Sequence, residues 1–257
     1  MNTNFAHRHA KLLHLVNVRG ILTVAELARI LDASLMTIRR DLSLLDAKGL
    51  LRRIRGGATA LSVSRDLPLQ RRERLELQAK GAIGHLAANF VQPGETVLLD
   101  AGTTVFAMAK ALRAIPNLTI VTNSLQVLSE LWSRPGLRMV SLGGVVRRTS
   151  GSLAGSLALK SLGEIRVDRA FLGTIGVTAQ WEVSNSDLDL AALQRHILSV
   201  ARESYLLADH TKFGRSGLAV VAPIKVFTAV ITDERMTPKV RGQLQRQCRR
   251  VLFAKSA

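Results

Sequence analysis

One cysteine, Cys248, stands among 257 residues, so no intramolecular disulfide and no cysteine cluster can form. A lone thiol of this kind reads as a structural or surface residue. Long apolar runs are missing too. The longest, residues 217–232, is broken by Pro223 and Lys225 and is too short to span a bilayer; it reads as two buried strands, and no membrane partner is expected. Arg8 and Lys11 precede an apolar run near the N-terminus, but Asn17 and Arg19 interrupt it and no small-residue cleavage site follows, which points to the cytoplasm. Catalytic signatures are also absent: there is no G-x-S-x-G elbow, G-x-G-x-x-G loop, Walker A loop or H-E-x-x-H helix. The six histidines show no metal spacing with Cys248 or with carboxylates, and only His210 is placed to reach a ligand rim. Hence no metal, no cofactor and no catalytic residue is assigned. Acidic residues are scarce, nineteen Asp and Glu against thirty-six Lys and Arg, giving a net charge of +17. Such an excess favours a polyanionic partner, nucleic acid ahead of an anionic membrane.

What is present has ordinary globular composition and divides into two parts with different patterning. Residues 1–60 read as three helices and a short hairpin, a winged helix-turn-helix DNA-binding domain. Leu12, Leu15 and Val16 make one stripe; Val24, Leu27, Ala28 and Leu31 a second; Leu35, Ile38, Leu42 and Leu45 a third. Thr23 with Glu26 predicts a capping box for the second helix, and Ser34 an N-cap for the third. Only Asp32 to Ser34 lie between these helices, which forces a steep crossing. At 100° per residue the third helix points Arg40 away from its apolar stripe, with Met36, Thr37 and Ser43 alongside and Arg39 to one side. Arg52, Arg53 and Arg55 lead into the Gly56-Gly57 turn as a basic wing would. This part carries ten Lys and Arg against four Asp and Glu, more than a merely solvated face requires. The expected DNA-contacting set is Ser34, Met36, Thr37, Arg39, Arg40 and Ser43 with Arg52, Arg53 and Arg55.

Residues 61–75 lose periodicity, carry Pro68 and four charges at 71–74, and read as a linker, or as a linker plus the start of a helix. Residues 76–257 alternate short apolar strands with helices, the pattern of a parallel sheet covered on both faces. Expected strands are 96–99, 118–121, 138–142, 169–172, 204–207 and 229–231. Ligands of such sheets lie beyond the carboxyl ends of the strands. There Gly102, Thr103 and Thr104 open a helix and form a candidate anion site, although glycine and threonine also serve as plain turn and cap residues. Lys212, past another strand end, could add charge to the same anion. Asp100 would meet a sugar hydroxyl rather than a phosphate. Thr122, Asn123 and Ser124, then Gly143 and Gly144, stand at further strand ends.

Thr37-Ile38-Arg39-Arg40-Asp41-Leu42, Gly49-Leu50-Leu51-Arg52-Arg53 and Arg55-Gly56-Gly57-Ala58 resemble the winged helix-turn-helix signature of DeoR-type bacterial regulators. Asp100 to Thr104, Val121 to Ser124, Leu142 to Gly144, Ala170 to Gly173 and Ala208 to Gly214 are similar to that family's sensor blocks, in the same order. The resemblance spans essentially the whole chain. It implies a sensor domain with the ribose-5-phosphate isomerase fold, a phosphorylated sugar or related metabolite as effector, a homo-oligomer, and repression of a carbohydrate operon relieved by the effector. Leu190 and Gln194 stand where the family carries Glu and Lys, and Arg55 and Ala33 where His and Val are common. The alternatives are a sugar-phosphate isomerase-like enzyme with an accessory DNA-binding module, and a constitutive DNA binder with a degenerate sensor.

Overall fold

Helix starts and stops written into the first fifty residues shape the N-terminal unit. A computed structural model describes residues 3–19, 21–48, 50–54, 56–59, 69–112 and 115–255. The chain separates into two units, Met1–Arg65 and Asp66–Ala257. In the first, α1 (Thr3–Arg19) and β1 (Ile21–Thr23) precede α2 (Val24–Leu31), α3 (Leu35–Ala47), β2 (Arg52–Ile54) and β3 (Gly57–Thr59). The Thr23 hydroxyl accepts the Glu26 N–H at 3.2 Å while the Glu26 carboxylate accepts the Thr23 N–H at 2.7 Å, which closes the expected capping box. Asp32 ends α2 in the left-handed region at φ 48°, and Ser34 caps α3. Leu12, Val16, Leu27, Ile38, Leu42 and Leu45 fill the space between the three helices.

Three details depart from the sequence reading. Leu35, assigned to the apolar stripe of α3, is 49% exposed. It sits in the first turn, at the edge of the stripe, while Asp41 is buried within it. Asp41 accepts Arg8 Nε at 2.6 Å and His9 Nε2 at 2.9 Å, so one carboxylate fastens α1 to α3. The wing also has a third strand: β1 pairs with β3, giving the antiparallel order β1-β3-β2. A Cβ at Gly57 would lie 2.2 Å from the Leu22 carbonyl oxygen, so only glycine permits that approach.

The second unit begins with α4 (Leu69–Arg74) and α5 (Leu77–Ala88). It continues β4 (Thr96–Leu99), α6 (Thr103–Ala111), β5 (Thr119–Thr122), α7 (Leu125–Leu131), β6 (Arg138–Ser141), β7 (Val145–Arg147), β8 (Ser152–Ala154), α8 (Ser156–Gly163) and β9 (Val167–Leu172). Then come β10 (Gly176–Val177), β11 (Glu182–Asn185), α9 (Leu188–Val200), β12 (Ala201–Leu207), β13 (Ala219–Pro223), β14 (Ala229–Asp233), α10 (Pro238–Gln247) and β15 (Val251–Ala254). Seven strands form one parallel sheet in the order β15-β14-β12-β9-β4-β5-β6. Two buried apolar clusters cover it, one centred on Leu98, Leu172 and Leu206, the other on Leu99, Phe171 and Leu207. Alternate residues along each strand feed the two clusters, which is why these strands read as continuous apolar runs.

The six expected strands are present, with β15 added at one edge. Of the two strands read in 217–232, β14 lies inside the parallel sheet. The other, β13, belongs to a small antiparallel sheet, β10-β11-β13, that no reading of the sequence anticipated. A β7-β8 hairpin was likewise unforeseen. The segment 61–75 holds α4; residues 60–68 lie outside the described residues.

Candidate functional site

In the N-terminal unit, α3 carries Met36, Arg39, Arg40 and Ser43 on its exposed side, with Met36 70% exposed. Ser34 and Thr37 bond to each other: the Thr37 N–H donates to Ser34 Oγ at 3.1 Å, and the two hydroxyls are 2.8 Å apart. The wing is tied to this helix. Arg53 Nη1 donates to Ser43 Oγ at 2.8 Å, and the Arg53 N–H donates to Asp46 at 3.2 Å. Ser43 in turn donates to the Arg39 carbonyl at 2.9 Å. Ser43 and Arg53, each expected to face DNA independently, therefore form one bridge between helix and wing. Arg55 and the side chain of Arg52 lie outside the described residues.

In the second unit, the strand order fixes where a ligand can enter. From β4 the chain runs outward through β5 to β6; from β9 it runs the other way through β12 and β14. The crevice of a parallel sheet opens at this reversal, between the carboxyl ends of β4 and β9. A pocket is found there, lined by Asp100, Gly102, Thr103, Thr104 and Lys212 together with Gly173, Asn185, Leu190 and Gln194. Five residues expected from sequence to bind the effector thus share one cavity. Ala101, Arg72, Ser150, Thr174 and Ile175 complete the wall; from sequence Arg72 reads as a linker charge and Thr174 as a strand end, while Ser150 and Ile175 carry no signal.

Thr122, Asn123, Ser124, Gly143 and Gly144 are not in that lining. Thr122 donates to the Leu99 carbonyl at 2.6 Å and clips β5 to β4. Ser124 caps α7. Gly144 passes so close to β8 that a Cβ would lie 2.4 Å from the Ala154 carbonyl oxygen. Asn123 is fully buried beside Asp100, and neither amide atom meets a well-aligned partner.

Gly102 holds φ at +152°, a conformation L side chains rarely adopt, and thereby turns the chain from β4 into α6. The first N–H groups of α6 are consequently brought to the pocket wall. Deeper in, Asp100 is 2% exposed. Gln194 Nε2 donates to its carboxylate at 2.6 Å and to the Gly173 carbonyl at 2.9 Å, while Asn185 donates to Gln194 Oε1 at 3.0 Å. Burial pushes the Asp100 carboxyl above the usual carboxylate range, opposed by the Gln194 amide, the backbone at Ala101, the neighbouring Asn123 and the backbone at Gly173. Leu190 and Gln194, four apart on α9, therefore face the pocket.

At the other end Lys212 sits on a short turn that Asp209 caps. Lys80 is buried nearby and donates to the Arg72 and Leu75 carbonyls at 2.5 and 2.6 Å. Burial first, and then the charge of Lys212, push its ammonium down to about 8. Arg72, Lys80 and Lys212 thus make one end of the region cationic, while the Asp100 end is a web of amides and a carboxyl.

Elsewhere the chemistry is plainer. Burial pushes the half-buried Cys248 thiol up to about 12, so it is a poor nucleophile. Among the described residues no group of three metal-ligating side chains occurs, and no helix is long and apolar enough to cross a membrane.

A helix-turn-helix unit with a basic exposed helix, joined to an α/β unit whose sheet opens a polar pocket at its switch point, defines a ligand-sensing regulator of transcription. Two family models match: a DeoR-like helix-turn-helix domain over residues 8–63 and a DeoR C-terminal sensor domain over residues 75–234. The chain belongs to the DeoR family. It is 33% identical over 253 residues to an uncharacterized HTH-type transcriptional regulator, YgbI, of Escherichia coli, covering 97% of this chain and 98% of that one. It is also 33% identical over 226 residues to the glycerol-3-phosphate regulon repressor of Escherichia coli, covering 88% and 90%. Among solved structures, ribose 5-phosphate isomerase A of Neisseria gonorrhoeae matches 58% of this chain and 56% of its own at 16% identity, with a TM-score of 0.40.

Proposed function

We propose that this protein represses a carbohydrate-metabolism operon and releases its operator when a phosphorylated sugar enters the switch-point pocket. One observation carries the reading: the same cavity joins a cationic end at Lys212 and the α6 N-terminus to a hydrogen-bonding end at Asp100, Asn185 and Gln194. A phosphate suits the first end and sugar hydroxyls the second. Gln194 argues for a sensor rather than an enzyme. It is an amide bonded to Asp100, the carboxyl that lines the pocket, and an isomerase moving a proton beside a carbonyl needs a positioned base. On this reading the protein works in the cytoplasm, on double-stranded DNA, as a homo-oligomer. The +17 charge supports the DNA partner. A constitutive DNA binder is the second reading on one ground: Asp100 already accepts from Gln194, so a sugar hydroxyl has to displace that bond or donate to the carboxylate beside it.

DNA recognition assigns different work to two arginines. Arg40 on exposed α3 is suited to a bidentate contact with guanine in the major groove, so Arg40→Ala should cost about 1 to 3 kcal/mol on operator and far less on random DNA. Arg53 braces the wing against Ser43 and would lie along the phosphates. Its loss should weaken both DNAs alike and flatten the salt dependence by roughly one unit of slope. Anisotropy titrations on the promoter flanking the gene, and on shuffled DNA, separate the two. Equal losses on both DNAs for Arg40→Ala would remove α3 as the reading helix.

A further inference from the structure

Helix α4 is six residues long, and none of its side chains is buried. Polar contacts hold it in place. The Leu69 N–H donates to the Thr149 carbonyl at 3.1 Å, and Gln126 on α7 donates to Glu73. Lys80 grips the Arg72 and Leu75 carbonyls from below. An element with so little buried apolar surface opens at low free energy, so a modest new contact changes its population measurably. Two parts of this arrangement also reach the pocket. Arg72 lines it from α4, and Ser150 lines it from the turn on which Leu69 rests. In chain order α4 is the first described element after the DNA-binding unit, beyond residues 60–68.

From this juxtaposition we propose that Arg72 is part of the effector's anion site, and that α4 is the element through which occupancy of the pocket acts on the chain leading to the DNA-binding unit. The inference rests on the reading that the pocket takes a phosphate. The physical link is electrostatic. Arg72 and Lys212 line the same cavity, and the ammonium of Lys80 feels the charge of both, partly offset by Asp209 and Glu76. With three cations close together, an anion seated among them relieves their repulsion and pairs with Arg72. Each gain draws α4 toward the pocket: Arg72 through its own side chain, Lys80 through the two carbonyls it holds. A ligand that binds better when α4 is docked must in return favour the docked state.

The test uses the full chain and inorganic phosphate as probe, against chloride at equal ionic strength. Thermal shift reports binding, and hydrogen exchange followed by mass spectrometry reports on residues 69–76. Phosphate is expected to raise the melting temperature of the second unit and to slow exchange across α4 by about tenfold, equivalent to 1.4 kcal/mol. In Arg72→Gln the thermal shift should shrink yet persist, because Lys212 and the α6 N-terminus remain, while the slowing across α4 disappears. Arg72→Lys should restore part of it. If phosphate raises the melting temperature but leaves α4 exchange unchanged, or if Arg72→Gln keeps the full slowing, the coupling role of α4 is overturned and the phosphate pocket stands. If phosphate shifts neither property of the wild type, both the pocket assignment and the role of α4 fall together.

Discussion

Asp41→Ala is expected to destabilise the N-terminal unit by about 3 kcal/mol, the lower end of the range for breaking a buried ion pair by removing one partner. The lower end applies because Arg8 is partly exposed and can recover water, whereas His9 is nearly covered. The loss is more than electrostatic, since the same carboxylate joins α1 to α3 and sets the angle at which α3 is presented. Burial works against the Asp41 charge, but the hydrogen bonds from Arg8 and then His9 outweigh it and hold the carboxyl below its ordinary 3.8. A carboxyl depressed in the folded state adds stability that is fully present above the ordinary value and is lost as pH falls through the depressed one. Urea unfolding monitored from pH 7 down to pH 2 should therefore show a constant gap between wild type and Asp41→Ala above about pH 5 and a narrowing one below the ordinary value of 3.8; a gap that stays constant down to pH 2 is the contrary result.

Lys212→Ala should weaken sugar-phosphate binding by roughly 10- to 150-fold, the equivalent of one charge-assisted hydrogen bond of about 1.5 to 3 kcal/mol. The side chain is half-buried and lines the pocket wall, so solvent screening does not erase the interaction. The neutral sugar should bind wild type and variant with similar, weak affinity, because only the phosphate meets the lysine. Linkage then requires the variant to hold its operator at effector concentrations that release the wild type. Calorimetry on both proteins with one sugar and its phosphate checks this. A neutral sugar that binds wild type as tightly as its phosphate would remove the anion assignment.

Much of this was legible in the residues. Thr23 with Glu26 and Ser34 with its following helix are local signals, fixed by neighbours three positions away, and they place α2 and α3 as observed. The parallel sheet was readable because strands covered on both faces are apolar throughout. Its rule about strand ends led to Gly102, Thr104 and Lys212, which share the pocket. What escaped the reading depends on distant partners. Two- and three-residue strands such as β1 and β10 are too short for any period, and exist because β3 and β11 offer them a ladder. Arg72 sits in a charged stretch indistinguishable from a linker until the turn at Thr149 anchors α4. Thr122 and Ser124 carry residue types suited to a ligand but use their hydroxyls on the strand and helix they join. Nothing local marks Asp41 for burial, which Arg8 and His9, more than thirty residues away, explain.

On the function proposed above, one chain binds operator DNA and gives it up to a phosphorylated sugar. The most direct measurement is anisotropy of the full-length protein on DNA from the promoter flanking its gene, titrated with a sugar phosphate and, separately, with the same unphosphorylated sugar at matched ionic strength. A productive sugar phosphate should raise the apparent Kd by about tenfold or more, a coupling of about 1.4 kcal/mol, while the neutral sugar leaves it unchanged. Release by both sugars alike, or by neither across a set of triose, pentose and hexose phosphates, would contradict the account.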